Sequence, residues 1–110
     1  MKKIRLDQAK PYEVAKHFNM VAFGLHDKEE TGSQKFRVAL SHFLPGGGAE
    51  YEEAPTEKVY FILEGEITVK TRNEELILGH WDSVYIAPNE GRELLNKTNK
   101  PVSMLVVVGY

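Results

Sequence analysis

The apolar residues of this chain come in short runs, each closed by glycine, proline, asparagine or a charged cluster. That is the pattern of many short strands closing a sandwich or barrel. It predicts strands over Met20 to Leu25, Phe36 to Leu44, Val59 to Leu63, Glu66 to Thr71, Glu75 to Leu78, Ser83 to Ala87, Arg92 to Asn96 and Val102 to Val108. Asn73 is suited to a positive φ, so Glu66 to Leu78 reads as a hairpin, and Gly46-Gly47-Gly48 reads as a tight loop between strands. Ala9 to Phe18 departs from the pattern, because Pro11 suits a first helical turn and Tyr12, Val14, Ala15 and Phe18 roughly share a face. A short N-terminal arm or helical turn is expected there.

Several strands are apolar on both faces: Val59, Phe61 and Leu63 alternate with Tyr60 and Ile62, and Met104 to Val108 is apolar throughout. Neither leaves a polar face for solvent, so a second cover is required. The N-terminal segment can supply part of it and a second copy of the sheet the rest, which predicts a homodimer. At 110 residues the chain fits one domain, residues 1–110, with an arm over 1–19 and a barrel core over 36–108. A net charge of -2, from 14 basic and 16 acidic side chains, gives no excess positive charge for nucleic acid or an anionic membrane surface. Cysteine is absent, and no apolar run follows Met1-Lys2-Lys3, so the cytoplasm is the expected compartment.

Between Pro45 and Asn96 three stretches stand out: Pro45-Gly46-Gly47; Glu57-Lys58 running into Val59-Tyr60-Phe61-Ile62-Leu63-Glu64-Gly65-Glu66; and Asp82-Ser83-Val84-Tyr85-Ile86-Ala87-Pro88. Together they resemble the two signature motifs of the cupin superfamily, across about half of the chain. The resemblance implies an all-β double-stranded β-helix, a cupin barrel of jelly-roll type. Gly46 and Gly65 match the ends of the first motif, which puts Glu52 and Ala54 at its two histidine positions and Lys58 at its glutamate position. The second motif aligns through Asp82, Val84, Ile86 and Asn96. Trp81, Ala87 and Asn89 then stand at its Gly, Pro and Gly positions, and Arg92 at the last histidine.

A divalent ion needs lone pairs at bonding distance, and Ala54, Lys58 and Arg92 offer none. A divalent ion about 5 Å from either cation meets a repulsion of about 7 kcal/mol at an effective dielectric near 20. The expectation is therefore no metal at this location and no cofactor. Strand parity then places Glu50 and Glu52, Lys58, Tyr60 and Ile62, and Arg92, Leu94 and Asn96 inside the barrel, a charged pocket on an apolar floor. In the functional reading Glu52 is a base, Lys58 an acid or a tuner of its pKa, and Arg92 a clamp for substrate charge. Glu50, Tyr60 and His42 would line the ligand. The alternative reading of Glu52, Lys58 and Arg92 is a salt-bridge network that plugs the pocket.

His42 reads as lining the barrel mouth or as an ordinary strand histidine, and His17, His26 and His80 as surface or loop residues. Glu50, Glu52, Glu53 and Glu57, joined by His42, form the alternative site for a divalent metal. The expected function is binding of a small anionic or polar metabolite without a metal, with acid-base catalysis as a possible extension. The alternatives are a metal-dependent cupin enzyme of dioxygenase, isomerase or decarboxylase type, and a non-catalytic sensor or scaffold.

Overall fold

Nine antiparallel strands and one 3-10 turn account for the computed structural model, which describes all 110 residues. The 3-10 turn spans Leu6–Gln8, and the strands are β1 Lys10–Tyr12, β2 His17–His26, β3 Phe36–Glu52, β4 Lys58–Glu64, β5 Ile67–Lys70, β6 Glu75–Leu78, β7 Ser83–Ile86, β8 Arg92–Leu95 and β9 Val102–Gly109. They run β6-β5-β8-β3-β9-β4-β7, with β2 along β3 and β1 beyond β2. The result is a nearly closed antiparallel jelly-roll barrel. No helix is long and apolar enough to cross a membrane.

The 17-residue β3 ties the two layers of the barrel together. Its first half pairs with β9, Phe36↔Gly109 through Phe43↔Val102, and its last residues pair with β8. The expected tight loop at Gly46-Gly47-Gly48 is instead a bend inside this strand. Gly46 takes φ 80° and hydrogen bonds from its N–H to the Asn96 carbonyl, so the chain turns without losing its partner. At Gly48 a Cβ would stand 2.0 Å from the Leu94 carbonyl oxygen, so only glycine lets β8 approach here. Asn96, 1% exposed, locks the corner: its Nδ2 donates to the carbonyls of Phe43 (3.2 Å) and Lys100 (2.8 Å), and its Oδ1 accepts from Thr98 N and Oγ1.

The helical turn lies at Leu6–Gln8, ahead of the expected Ala9 to Phe18, and half of that segment is strand, Lys10–Tyr12 and the start of β2. Pro11 sits opposite Phe23 on the edge strand β1, where a missing N–H costs no ladder bond. The β5–β6 hairpin forms as expected, but Asn73 is not among the residues with positive φ. Thr71 closes it, its Oγ1 accepting from the Asn73 and Glu74 amides while its N–H donates to the Glu74 carbonyl at 2.9 Å.

Positive φ appears instead at Lys16 (60°), Asn19 (49°), Trp81 (72°) and Asn89 (63°), the last two being the residues that the resemblance puts at glycine positions of the second motif. The backbone there is glycine-like although the side chains are not.

Inside the barrel, Phe43, Ala49, Tyr60, Ile62, Ile67, Val69, Leu78, Ile86, Leu94, Val102 and Met104 form one cluster. Each large member contributes about 1.5–3 kcal/mol by leaving water. On the opposite face Val59, Leu63, Trp81 and Tyr85 remain exposed. The N-terminal strands do not lie over that face; β1 and β2 extend the sheet sideways past β3.

Candidate functional site

β3, β4 and β8 aim their inward side chains at a cavity of about 170 Å³. Its floor is apolar, with Phe43, Leu94, Met104, Val106 and Val108, and its charged residues are Arg37, Lys58, Arg92 and Glu52. Lys58 opens β4 and Arg92 opens β8, so each sits where a strand enters the barrel, and they are only 7% and 6% exposed.

Arg92 Nε donates to the Tyr60 hydroxyl at 2.7 Å, and its Nη1 donates to the Glu50 carbonyl at 3.3 Å. Since the Tyr60 oxygen accepts from a cation, the phenolic hydrogen is free for another acceptor. Burial pushes the Tyr60 pKa up, against the opposing pull of Arg92, so the hydroxyl stays a donor. Lys58 Nζ makes neither a hydrogen bond nor an ion pair within the chain. Burial, and then repulsion from Arg92, hold its pKa below the ordinary lysine value, with Glu52 partly offsetting them.

Glu52 and Arg92 are cross-strand partners, yet they form no ion pair. The chain's four ion pairs, Arg5–Asp7, Lys10–Glu30, Arg72–Glu53 and Lys97–Glu75, all lie elsewhere on solvent-accessible side chains. The salt-bridge network of the alternative reading of Glu52, Lys58 and Arg92 is therefore not what the barrel contains. Three cations face one carboxylate.

Of the expected site residues, the structure brings Glu52, Lys58, Tyr60 and Arg92 together and leaves Glu50 and His42 out. Ala49 pairs with Leu94 while Glu52 pairs with Arg92, so β3 carries one residue more than β8 and the parity slips. The Glu50 side chain consequently faces solvent, and only its carbonyl touches the site. His42 belongs to the outer face, opposite in parity to the inward Phe43. Its Nδ1 lies 2.9 Å from Ser103 Oγ, and its ring packs edge-on to Phe23.

Two residues that sequence reasoning placed elsewhere, or passed over, belong to the cavity. Arg37 shares the parity of Ala39, Ser41 and Phe43 along β3, a signal that carrying the alternation back along that strand would have exposed. His17 opens β2, opposite Ala49, and stacks on Phe43 with ring centroids 6.5 Å apart. Its Nδ1 is 2.8 Å from the Ala15 carbonyl, so Nδ1 carries the hydrogen and Nε2 keeps the lone pair. Burial, and then Arg92, lower its pKa below the ordinary 6.5, leaving a neutral ring at pH 7.

The donor set does not fit a resident divalent ion. No group of three His, Cys, Asp or Glu side chains converges anywhere in the chain. The acidic run is dispersed: Glu53 pairs with Arg72, Glu57 accepts from the Tyr85 hydroxyl at 3.0 Å, Glu50 is exposed, and Glu52 alone enters the cavity.

Residues 39–108 match the family described as Cupin domain. Over its full 110 residues the chain is 36% identical to a β-D-galactosidase from Mycobacterium tuberculosis, covering 95% of that protein. Its fold is similar to the polyketide cyclase RemF from Streptomyces resistomycificus, with a TM-score of 0.88 at 18% identity over 99% of this chain and 79% of that one. It is similar also to a predicted oxalate decarboxylase from Thermotoga maritima, with a TM-score of 0.84 at 17% identity over 98% of each chain. At those identities the two structures speak for the fold alone.

Proposed function

The chain is a member of the cupin domain family, and on that premise we propose that it binds a small anionic metabolite inside the barrel without a metal ion. One observation carries the reading: Arg37, Lys58 and Arg92 surround a cavity in which Glu52 is the only carboxylate, and no ion pair forms there. Lys58 and Arg92 are buried with no carboxylate paired to either, which is costly, and an anion seated between them offsets that cost. On this reading Lys58 and Arg92 stand where relatives hold metal ligands. The positive φ of Trp81 and Asn89 at the motif's glycine positions supports that register.

The Arg92 fork and the free Tyr60 hydrogen suit a carboxylate, and the apolar floor suits a short carbon body. Glu52, with Lys58 as its acid partner, would then move a proton at a carbon beside that carboxylate, and neutral His17 adds a second acceptor. Calorimetric titration with a panel of short-chain carboxylates and inorganic phosphate tests the reading. Saturable binding that Arg92→Gln abolishes is expected; identical titrations of the two proteins would reject it.

The full-length likeness to the mycobacterial β-D-galactosidase favours a second reading, hydrolysis of a β-galactoside. Glycoside hydrolysis ordinarily uses two carboxylates, and here Glu52 is the one the cavity holds. Release of nitrophenol from nitrophenyl β-D-galactoside, lost in Glu52→Gln, would support it, and no release discards it.

We place the protein in the cytoplasm, consistent with a cysteine-free chain. We further propose a homodimer through the outer face that carries Val59, Leu63 and Tyr85, where the chain's own N-terminal strands provide no cover. Light scattering behind a sizing column checks this, and a mass of one chain rejects it.

A further inference from the structure

A second space adjoins the barrel cavity. It is a cleft of about 550 Å³ between β1, the end of β2, the loop after it, the start of β3 and the C-terminal Tyr110. Tyr12 and Arg37 line both spaces, and Arg37 Nη1 donates to the Tyr12 hydroxyl at 3.3 Å where they meet. Volume separates their roles. Ligand sites usually occupy about 300–1,000 Å³, so the inner cavity is too small to hold more than a head group, while the outer cleft lies within the range.

The chemistry of the two spaces differs as well. The inner one is cationic over an apolar floor. The outer one mixes Lys28 with the carboxylates of Asp27 and Glu29 and the His26 ring, all beside the phenol rings of Tyr12 and Tyr110. Lys10 and Glu30 are already paired with each other at 2.8 Å, and Lys28 lies 4.2 Å over the Tyr110 ring. What remains is a set of donors and acceptors of both kinds interleaved with flat apolar faces. Hydroxyl groups, each a donor and an acceptor, match such a lining, and the carbon faces of a ring match the tyrosines. A purely apolar or singly charged extension would leave part of the lining unpaired.

We propose that the barrel cavity and the outer cleft are two halves of one site meeting at the Tyr12–Arg37 pair, and that the outer half takes a polyhydroxylated, sugar-like extension of a ligand whose anionic end sits inside. The inference rests on the anion-binding reading above. The Tyr12–Arg37 hydrogen bond is exposed and long, so its exchange for a ligand contact costs little.

Three probes test it by calorimetry at low ionic strength: D-gluconate as the acid with only its own short hydroxylated chain, lactobionate as the same acid with a galactosyl ring added to reach the cleft, and lactose as a neutral disaccharide. Lactobionate is expected to bind about tenfold tighter than gluconate and tighter than lactose. Tyr110→Ala, with its unliganded melting temperature measured beside wild type, should bring the lactobionate-to-gluconate ratio close to one. Equal affinity of wild type for lactobionate and gluconate overturns the two-part site and leaves the anion reading standing. Binding of gluconate unaltered by Arg92→Gln, or no binding of any probe, overturns both.

Discussion

Replacing Lys58 with methionine should stabilise the unliganded protein. Lys58 is 7% exposed, makes no ion pair, and feels Arg92 and Arg37 as repulsion and Glu52 as attraction, with Arg92 the strongest of the three. Unit charges about 7 Å apart at an effective dielectric near 20 interact by about 2 kcal/mol. Removing one cation therefore relieves two such repulsions and forfeits one attraction, a net gain of about 1–2 kcal/mol. The lost desolvation penalty adds to this, while methionine keeps most of the apolar stem, so the total falls within the range of about 1–4 kcal/mol seen when buried charges give way to packed apolar groups. For a chain of this size each kcal/mol moves Tm by about 4–8 °C.

The sign with pH follows from the lowered pKa. Between the folded value and 10.5 the unfolded chain binds more protons than the native one, so wild-type stability rises with pH through that window and the advantage of K58M disappears above it. Urea unfolding of the two proteins at pH 7 and in the alkaline range measures both effects. A loss of more than about 1 kcal/mol in K58M at pH 7 would refute the reasoning, since it would mean that Lys58 holds a partner in place.

Other consequences follow from the same geometry. A bound anion raises the His17 pKa, so binding takes up a proton and tightens as pH falls from the raised pKa of the complex toward the depressed pKa of the free protein; His17→Gln should flatten that dependence in titrations between pH 5 and 8. Without ligand, the depressed His17 pKa makes wild type lose stability as pH falls below 6.5, a slope that His17→Gln should also reduce in thermal melts. Gly48→Ala forces a Cβ to within 2.0 Å of the Leu94 carbonyl and should cost about 3 kcal/mol in chemical denaturation by prying β8 from β3.

The barrel was legible in the sequence because its strands are short, apolar and punctuated, and because Gly46 and Gly65, which mark the ends of the first motif, both turn out to need positive φ. Pro11 misled because proline serves a first helical turn and an edge strand equally well, and only pairing with Phe23 decides between them. Glu52, Lys58 and Arg92 were placed in the barrel by their register against the two motifs, and Tyr60 by alternation from Lys58 along β4. Glu50 was misplaced by the same rule, since a bulge between Ala49 and Glu52 flips parity and leaves no mark in composition. His17 was invisible for a different reason. It reaches the cavity through the pairing of β2 with Ala49, a contact distant along the chain, and it has no neighbouring histidine at ligand spacing. The exposed apolar face was foreseen from strands that are apolar on both sides, but the sideways course of β1 and β2 was not, because edge pairing and face covering use the same apolar residues.

The central claim, the proposed anion site among Arg92 and Lys58 inside this barrel, is tested most directly by anomalous diffraction from crystals soaked in both bromide and manganese. The account predicts a bromide peak inside the barrel within hydrogen-bonding reach of Arg92 and Lys58, absent in crystals of R92Q. A cavity empty of bromide, with manganese seated on Glu52 and His17, would contradict it.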